Sequence, residues 1–196
     1  MRGGGAGMAN TKLLTPESCY LHVIDVQESL MKHVHGADKV ADITGMMVHS
    51  ARIFGMPIMG NTQYKKGLGP YVSDLEPLFE DIPRHDKVEF NALANAETMA
   101  RVNSLPSAID TMILVGVETH ICVYQTAMAA LDLGLKVWIV SDGVSSRRRE
   151  HHQMALERLA GVGADIGPAE MLIYELLHKA GTPRFKEILP LILKQG

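Results

Sequence analysis

Cysteine is scarce in this chain, with Cys19 and Cys122 the only two in 196 residues. A disulfide framework is therefore excluded as a source of stability, and two unpaired thiols fit a reducing, cytoplasmic compartment. Aromatic residues make up only 5%, and no apolar run approaches the roughly 20 residues of a membrane-spanning helix. Neither sign of charge dominates: 19 Lys and Arg stand against 22 Asp and Glu, a net charge of -3. Nucleic acid and membrane surfaces are poor partners for such a surface. Internal repeats are lacking, and low complexity is confined to the Gly-rich start. Residues 1–10 read as a flexible leader and residues 11–196 as one domain, long enough to bury about 70% of its unfolded surface.

What is present is an alternation of short apolar runs and helical periodicities. Cys19 to Asp25 reads as a buried strand ending in polar residues. Val40, Ile43, Met47, Ala51 and Phe54 share one face of a helix that Gly55 caps. A second strand runs from Met56 to about Asn61, residues 65–70 are punctuated like a loop, and a third strand covers Arg84 to Val88. Asp110 to Val117 is the clearest strand, leading to a helix from about Ile121 to Leu133. Leu135 to Ser141 is a fifth strand, Arg148 to Ala160 a helix, and Ala164 to Ile166 a short sixth strand. Pro168 and Pro183 each open a closing helix. Strands separated by helices require crossovers, so the pattern predicts a three-layer α/β/α sandwich, Rossmann-like, with a six-stranded mostly parallel sheet.

Ligands of such sheets bind beyond the carboxyl ends of the strands, where strand order reverses. Asp25, Asn61, Lys87, the turn from Glu118 to Cys122, and Asp142 all fall at strand ends. If the first and fourth strands flank the reversal, Asp25 and Cys122 face each other. Cys122, in the first turn of its helix, sees the positive end of the macrodipole, and a nearby lysine ammonium adds to it. Both predict a resting thiolate. An aspartate can take the thiol proton, the lysine can hold the carboxylate in register, and backbone N–H groups of the turn can bind an oxyanion.

The pairs His33/His35 and His151/His152 lack a third ligand at diagnostic spacing, so no metal is expected. Arg147 to Arg149 read as a solvated face, with an acidic partner or a substrate carboxylate as the alternative. Gln27, Gln63, Tyr64 and Phe90 lie near the expected site and are candidate pocket residues, ordinary loop packing being nearly as good an explanation. The 12 methionines read as adaptable core filling.

Ile-Asp-Val-Gln (24–27), Lys87 with Phe90 three residues on, Gly-Val-Glu-Thr-His-Ile-Cys-Val (116–123) and Ser-Asp-Gly-Val-Ser-Ser-Arg (141–147) together resemble the isochorismatase-like cysteine hydrolases. Residues 63–69, 155–159 and 185–188 resemble the isochorismatase domain-containing subgroup. The resemblance implies an Asp25, Lys87, Cys122 triad, a cis peptide between Val117 and Glu118, and an oxyanion hole from the N–H groups of Glu118 and Cys122. It also implies a homo-oligomer. The Asp-x-His element of metal-dependent nicotinamidases is replaced by Asn61-Thr62-Gln63-Tyr64, which argues against a zinc-bound pyridine site, and no cofactor is expected. Isochorismatase proper lacks the nucleophilic cysteine that this chain keeps. The expected activity is therefore metal-independent cleavage of a C–N bond, in a small amide or ureide, through a thioester on Cys122. The alternatives are ether hydrolysis using Asp25 and a non-catalytic binding scaffold.

Overall fold

The computed structural model describes residues 12–194; the expected leader, residues 1–10, lies outside them. Six strands form one sheet: β1 (Cys19–Ile24), β2 (Ile58–Gln63), β3 (Arg84–Lys87), β4 (Thr111–Val117), β5 (Lys136–Ser145) and β6 (Asp165–Gly167). Their order is β3-β2-β1-β4-β5-β6, and every pair of neighbouring strands is parallel. Strand order reverses between β1 and β4. All residues of both strands are buried, as expected for strands covered on both faces.

The helices are α1 (Glu28–Met31), α2 (Ala37–Phe54), α3 (Lys65–Leu68), α4 (Ala96–Asn103), α5 (Tyr124–Asp132), α6 (Arg149–Gly161), α7 (Ala169–Leu177) and α8 (Pro183–Leu193). Alternation along the strands sorts their side chains into two apolar cores. Leu21, Val23, Ile113, Val115 and Val140 pack with α2, α7 and α8. Tyr20, Met112, Leu114, Val137 and Ile139 pack with α5 and α6. Helix α2 buries Val40, Ile43, Met47, Ala51 and Phe54, and Gly55, at φ 75°, closes it with N–H bonds back to the last turn. Thr182 caps α8 by accepting from the Phe185 N–H, with Pro183 as first helical residue.

Several boundaries differ from the sequence reading. β2 continues to Gln63 because β3 pairs with it as far as Lys87. The expected loop at 65–70 contains the single turn α3, started by Tyr64 at φ 39° and by a bond from the Lys65 N–H to Asp86 Oδ1. β5 runs on to Ser145, its register with β4 shifting between Leu114 and Gly116. Asp142 therefore lies within a strand, and its Oδ1 accepts the Ala169 N–H at the start of α7. There it serves as a cap for α7. The helix expected from Ile121 begins instead as a π turn, Thr119–Val123, ahead of α5. Helix α4 went unread, although Asn95 caps it by accepting from the Thr98 N–H.

Candidate active site

Asp25 directly follows β1, and its backbone is in the left-handed region, φ 52°, which Asp tolerates better than most residues. Beside it Gly116 sits at φ 115°, and a Cβ there would lie 2.0 Å from the Ile24 carbonyl oxygen. Only glycine allows β1 and β4 to approach so closely at the reversal. Lys87 ends β3, two strands away, and reaches back across β2. Its Nζ donates to Asp25 Oδ2 at 2.7 Å and to Gln63 Oε1 at 2.6 Å. The Lys87 and Asp25 side chains are both fully buried. Oδ1 of Asp25 has no hydrogen-bond partner of good geometry among the described residues, although the Cys122 thiol is near enough to act on the carboxyl as a hydrogen-bonding neighbour.

Cys122 lies in the π turn, is 6% exposed, and feels the charges of both Asp25 and Lys87. Burial and the Asp25 carboxylate push its thiol well above the ordinary range, and Lys87 only partly offsets them. The expectation of a resting thiolate is thus overturned: desolvation and a neighbouring anion outweigh a helix end and an ammonium. Burial also pushes the Asp25 carboxyl up, against the opposing pull of Lys87. The peptide bond between Val117 and Glu118 is cis. The Glu118 carboxylate turns to Arg147, accepting its backbone N–H at 2.8 Å and pairing with its guanidinium at 3.1 Å. The acidic partner of that arginine is therefore within the chain.

Of the candidate pocket residues, Gln27 is held by main-chain groups. It is fully buried, donating to the carbonyls of Gln63 and Gly69 and accepting the Gln63 N–H. Its amide is spent on the backbone. Gln63 is likewise engaged, holding Lys87 and donating to the Val88 carbonyl at 2.9 Å. Tyr64 and Phe90 are about half exposed, 52% and 53%, just beyond β2 and β3. Asn61 shares the Gln63 face of β2 but is taken up by other partners, accepting from His22 Nε2 at 2.7 Å and donating to Thr98 Oγ1 and the His85 carbonyl.

Sequence reasoning missed His22, which is fully buried and whose burial lowers its pKa to about 4. A histidine within a strand carries no signal until its partner across the sheet is known. Among the described residues, no group of three or more His, Cys, Asp or Glu side chains is placed to hold a metal ion, nor is any helix long and apolar enough to cross a membrane. His152 Nδ1 instead meets Thr119 Oγ1 at 2.9 Å, and the His151 ring lies 4.9 Å from that of His120.

The fold is a doubly wound parallel sheet with a buried Asp–Lys pair and a cysteine-bearing turn where strand order reverses. The isochorismatase domain model matches residues 19–171, and the chain belongs to the isochorismatase-like hydrolase family. It is 37% identical to the secreted isochorismatase effector Isc1 of Phytophthora sojae over 182 residues, 91% of this chain and 86% of that one. It is 31% identical to isochorismatase domain-containing protein 2 of Xenopus laevis, over 92% of this chain and 86% of the relative. Among solved structures, the MAR1 ribonuclease of Caenorhabditis elegans superposes with a TM-score of 0.85 at 31% identity, covering 92% of each chain.

Proposed function

We propose that the protein is a metal-independent cysteine hydrolase that cleaves an amide or ureide C–N bond of a small molecule through a thioester on Cys122. The observation that carries this reading is the fully buried Lys87–Asp25 pair, whose carboxyl and the Cys122 thiol lie close enough to shift each other's ionisation. The neutral thiol is the resting form, so attack and proton transfer occur together. As sulfur bonds to the carbonyl carbon, its proton passes to Asp25, whose raised basicity suits it to this task. Lys87 stays protonated and keeps the carboxylate aimed. The N–H groups of Glu118 and Cys122 receive the oxyanion. When the intermediate collapses, the C–N bond breaks and the Asp25 proton goes to the departing nitrogen, releasing ammonia or an amine. Water, deprotonated by Asp25, then hydrolyses the thioester and returns the proton to sulfur.

Tyr64 and Phe90 supply an apolar wall for the substrate at the open edge of the sheet. The protein works as a homo-oligomer, with residues 11–196 as its single domain. Two unpaired thiols suit a reducing cytoplasm, although the Phytophthora relative is named as secreted. Ribonuclease activity is not carried over from the nematode structure, because the net charge of -3 gives no attraction for a polyanion. The raised pKa of Asp25 also suits an acid, and so favours ether hydrolysis as a second reading. Screening small amides and ureides for ammonia release, with Cys122→Ala as control, tests the proposal. Turnover abolished by Cys122→Ala supports the thioester, and turnover of a vinyl ether that survives the substitution points to the second reading.

A further inference from the structure

We infer that Gln63 is a positioning residue: its side-chain amide fixes the Lys87 ammonium against the Asp25 carboxylate, and Gln27 in turn fixes Gln63. The inference rests on the cysteine-hydrolase reading for its catalytic consequence but not for its geometry. Parallel register sets Gln63 directly beside Lys87 on adjacent strands, so the two side chains emerge on the same face. An ammonium has three protons and no acceptor. One goes to Asp25 Oδ2 at 2.7 Å and a second to Gln63 Oε1 at 2.6 Å.

The orientation of the Gln63 amide is determined by its other end. Nε2 donates to the Val88 carbonyl at 2.9 Å, and a reversed amide would turn its NH2 toward the ammonium and its oxygen toward a carbonyl. The main chain of Gln63 is clamped as well. Gln27 Oε1 accepts the Gln63 N–H at 2.6 Å, and Gln27 Nε2 donates to the Gln63 carbonyl at 3.1 Å. The Gln27 N–H reaches the Asp25 carbonyl at 2.7 Å. Asp25, Gln27, Gln63 and Lys87 thus close a ring of contacts in which each member locates the next. A neutral acceptor matters here, because a carboxylate at position 63 would divide the lysine's charge between two anions. An amide holds the ammonium without competing for it.

Two variants separate positioning from mere packing. Gln63→Met keeps length and volume but removes the acceptor; Gln63→Glu keeps an acceptor and adds charge. The first readout is the Lys87 ammonium resonance in 15N-lysine-labelled protein, assigned by its absence in Lys87→Met. The second is the pH midpoint of iodoacetamide labelling at Cys122. Gln63→Met is expected to speed exchange of the ammonium protons with water at least tenfold and to slow labelling by at least tenfold. Gln63→Glu is expected to keep the resonance but raise the labelling midpoint by about one pH unit, since Asp25 loses part of its cation. A packing role alone would lower the melting temperature and leave that midpoint in place.

Unchanged ammonium exchange and an unchanged midpoint in both variants would overturn the inference. Should Gln63→Met not fold, the midpoint in Gln63→Glu decides. If ammonium exchange responds while wild-type Cys122 labels like an ordinary thiol, Gln63 still positions Lys87 and the cysteine-hydrolase reading is what fails.

Discussion

Asp25 and Lys87, 62 positions apart in the chain, meet as a fully buried ion pair with Nζ 2.7 Å from Oδ2. Removing either partner leaves the other charge buried and uncompensated. Lys87→Met or Asp25→Leu is therefore expected to cost about 3–5 kcal/mol of stability. The double variant should recover much of that loss, because an apolar pair of similar volume replaces a desolvated ionic one. Urea unfolding of the four proteins measures the cycle, and additive losses would show that the pair is not coupled.

His22 makes stability fall in acid. The unfolded imidazole takes a proton near its ordinary value of 6.5, whereas burial keeps it neutral in the folded protein down to about 4. Its contribution is complete above pH 6.5 and is lost as the pH falls from 6.5 to 4, by about 3 kcal/mol in all. Denaturation midpoints across that window check the slope, and the His22 ring signals should titrate only near its lower end.

The reversal of strand order depends on Gly116. An alanine there must accept φ 115° and a Cβ 2.0 Å from the Ile24 carbonyl oxygen, which is backbone. Gly116→Ala is expected to destabilise the protein by more than about 3 kcal/mol and to displace Asp25, next in sequence to Ile24. A soluble variant with wild-type melting temperature would contradict the close approach of β1 and β4.

How much of this was legible in the sequence depended on whether a feature was local. The central strands can be read because Cys19 to Ile24 and Thr111 to Val117 are mostly apolar and β-branched, and α2 because its buried positions keep helical spacing. Asp25, Lys87 and Cys122 can be singled out because they lie at or just after strand ends in a family-like motif. What escaped is what depends on pairing across strands. The extension of β2 to Gln63 and the engagement of Gln27 follow from the register of β2 with β3 and from the chain's return near Gly69. The state of the Cys122 thiol is hidden from the sequence for a related reason. Position on a helix is visible in sequence, whereas the desolvation that outweighs it is not.

The most direct test of the proposed chemistry is the pH dependence of iodoacetamide labelling at Cys122, in folded wild type and in Asp25→Asn where that variant remains folded. Cys19, buried and with its thiol pushed up to about 11, serves as the unreactive internal reference. If Asp25 takes the thiol proton, labelling at Cys122 follows the ionised carboxylate. It should rise through a midpoint above the usual carboxylate range, level off near neutral pH, and fall at least tenfold in Asp25→Asn. Labelling that instead keeps climbing past pH 9 and ignores Asp25→Asn would contradict a carboxylate-activated nucleophile.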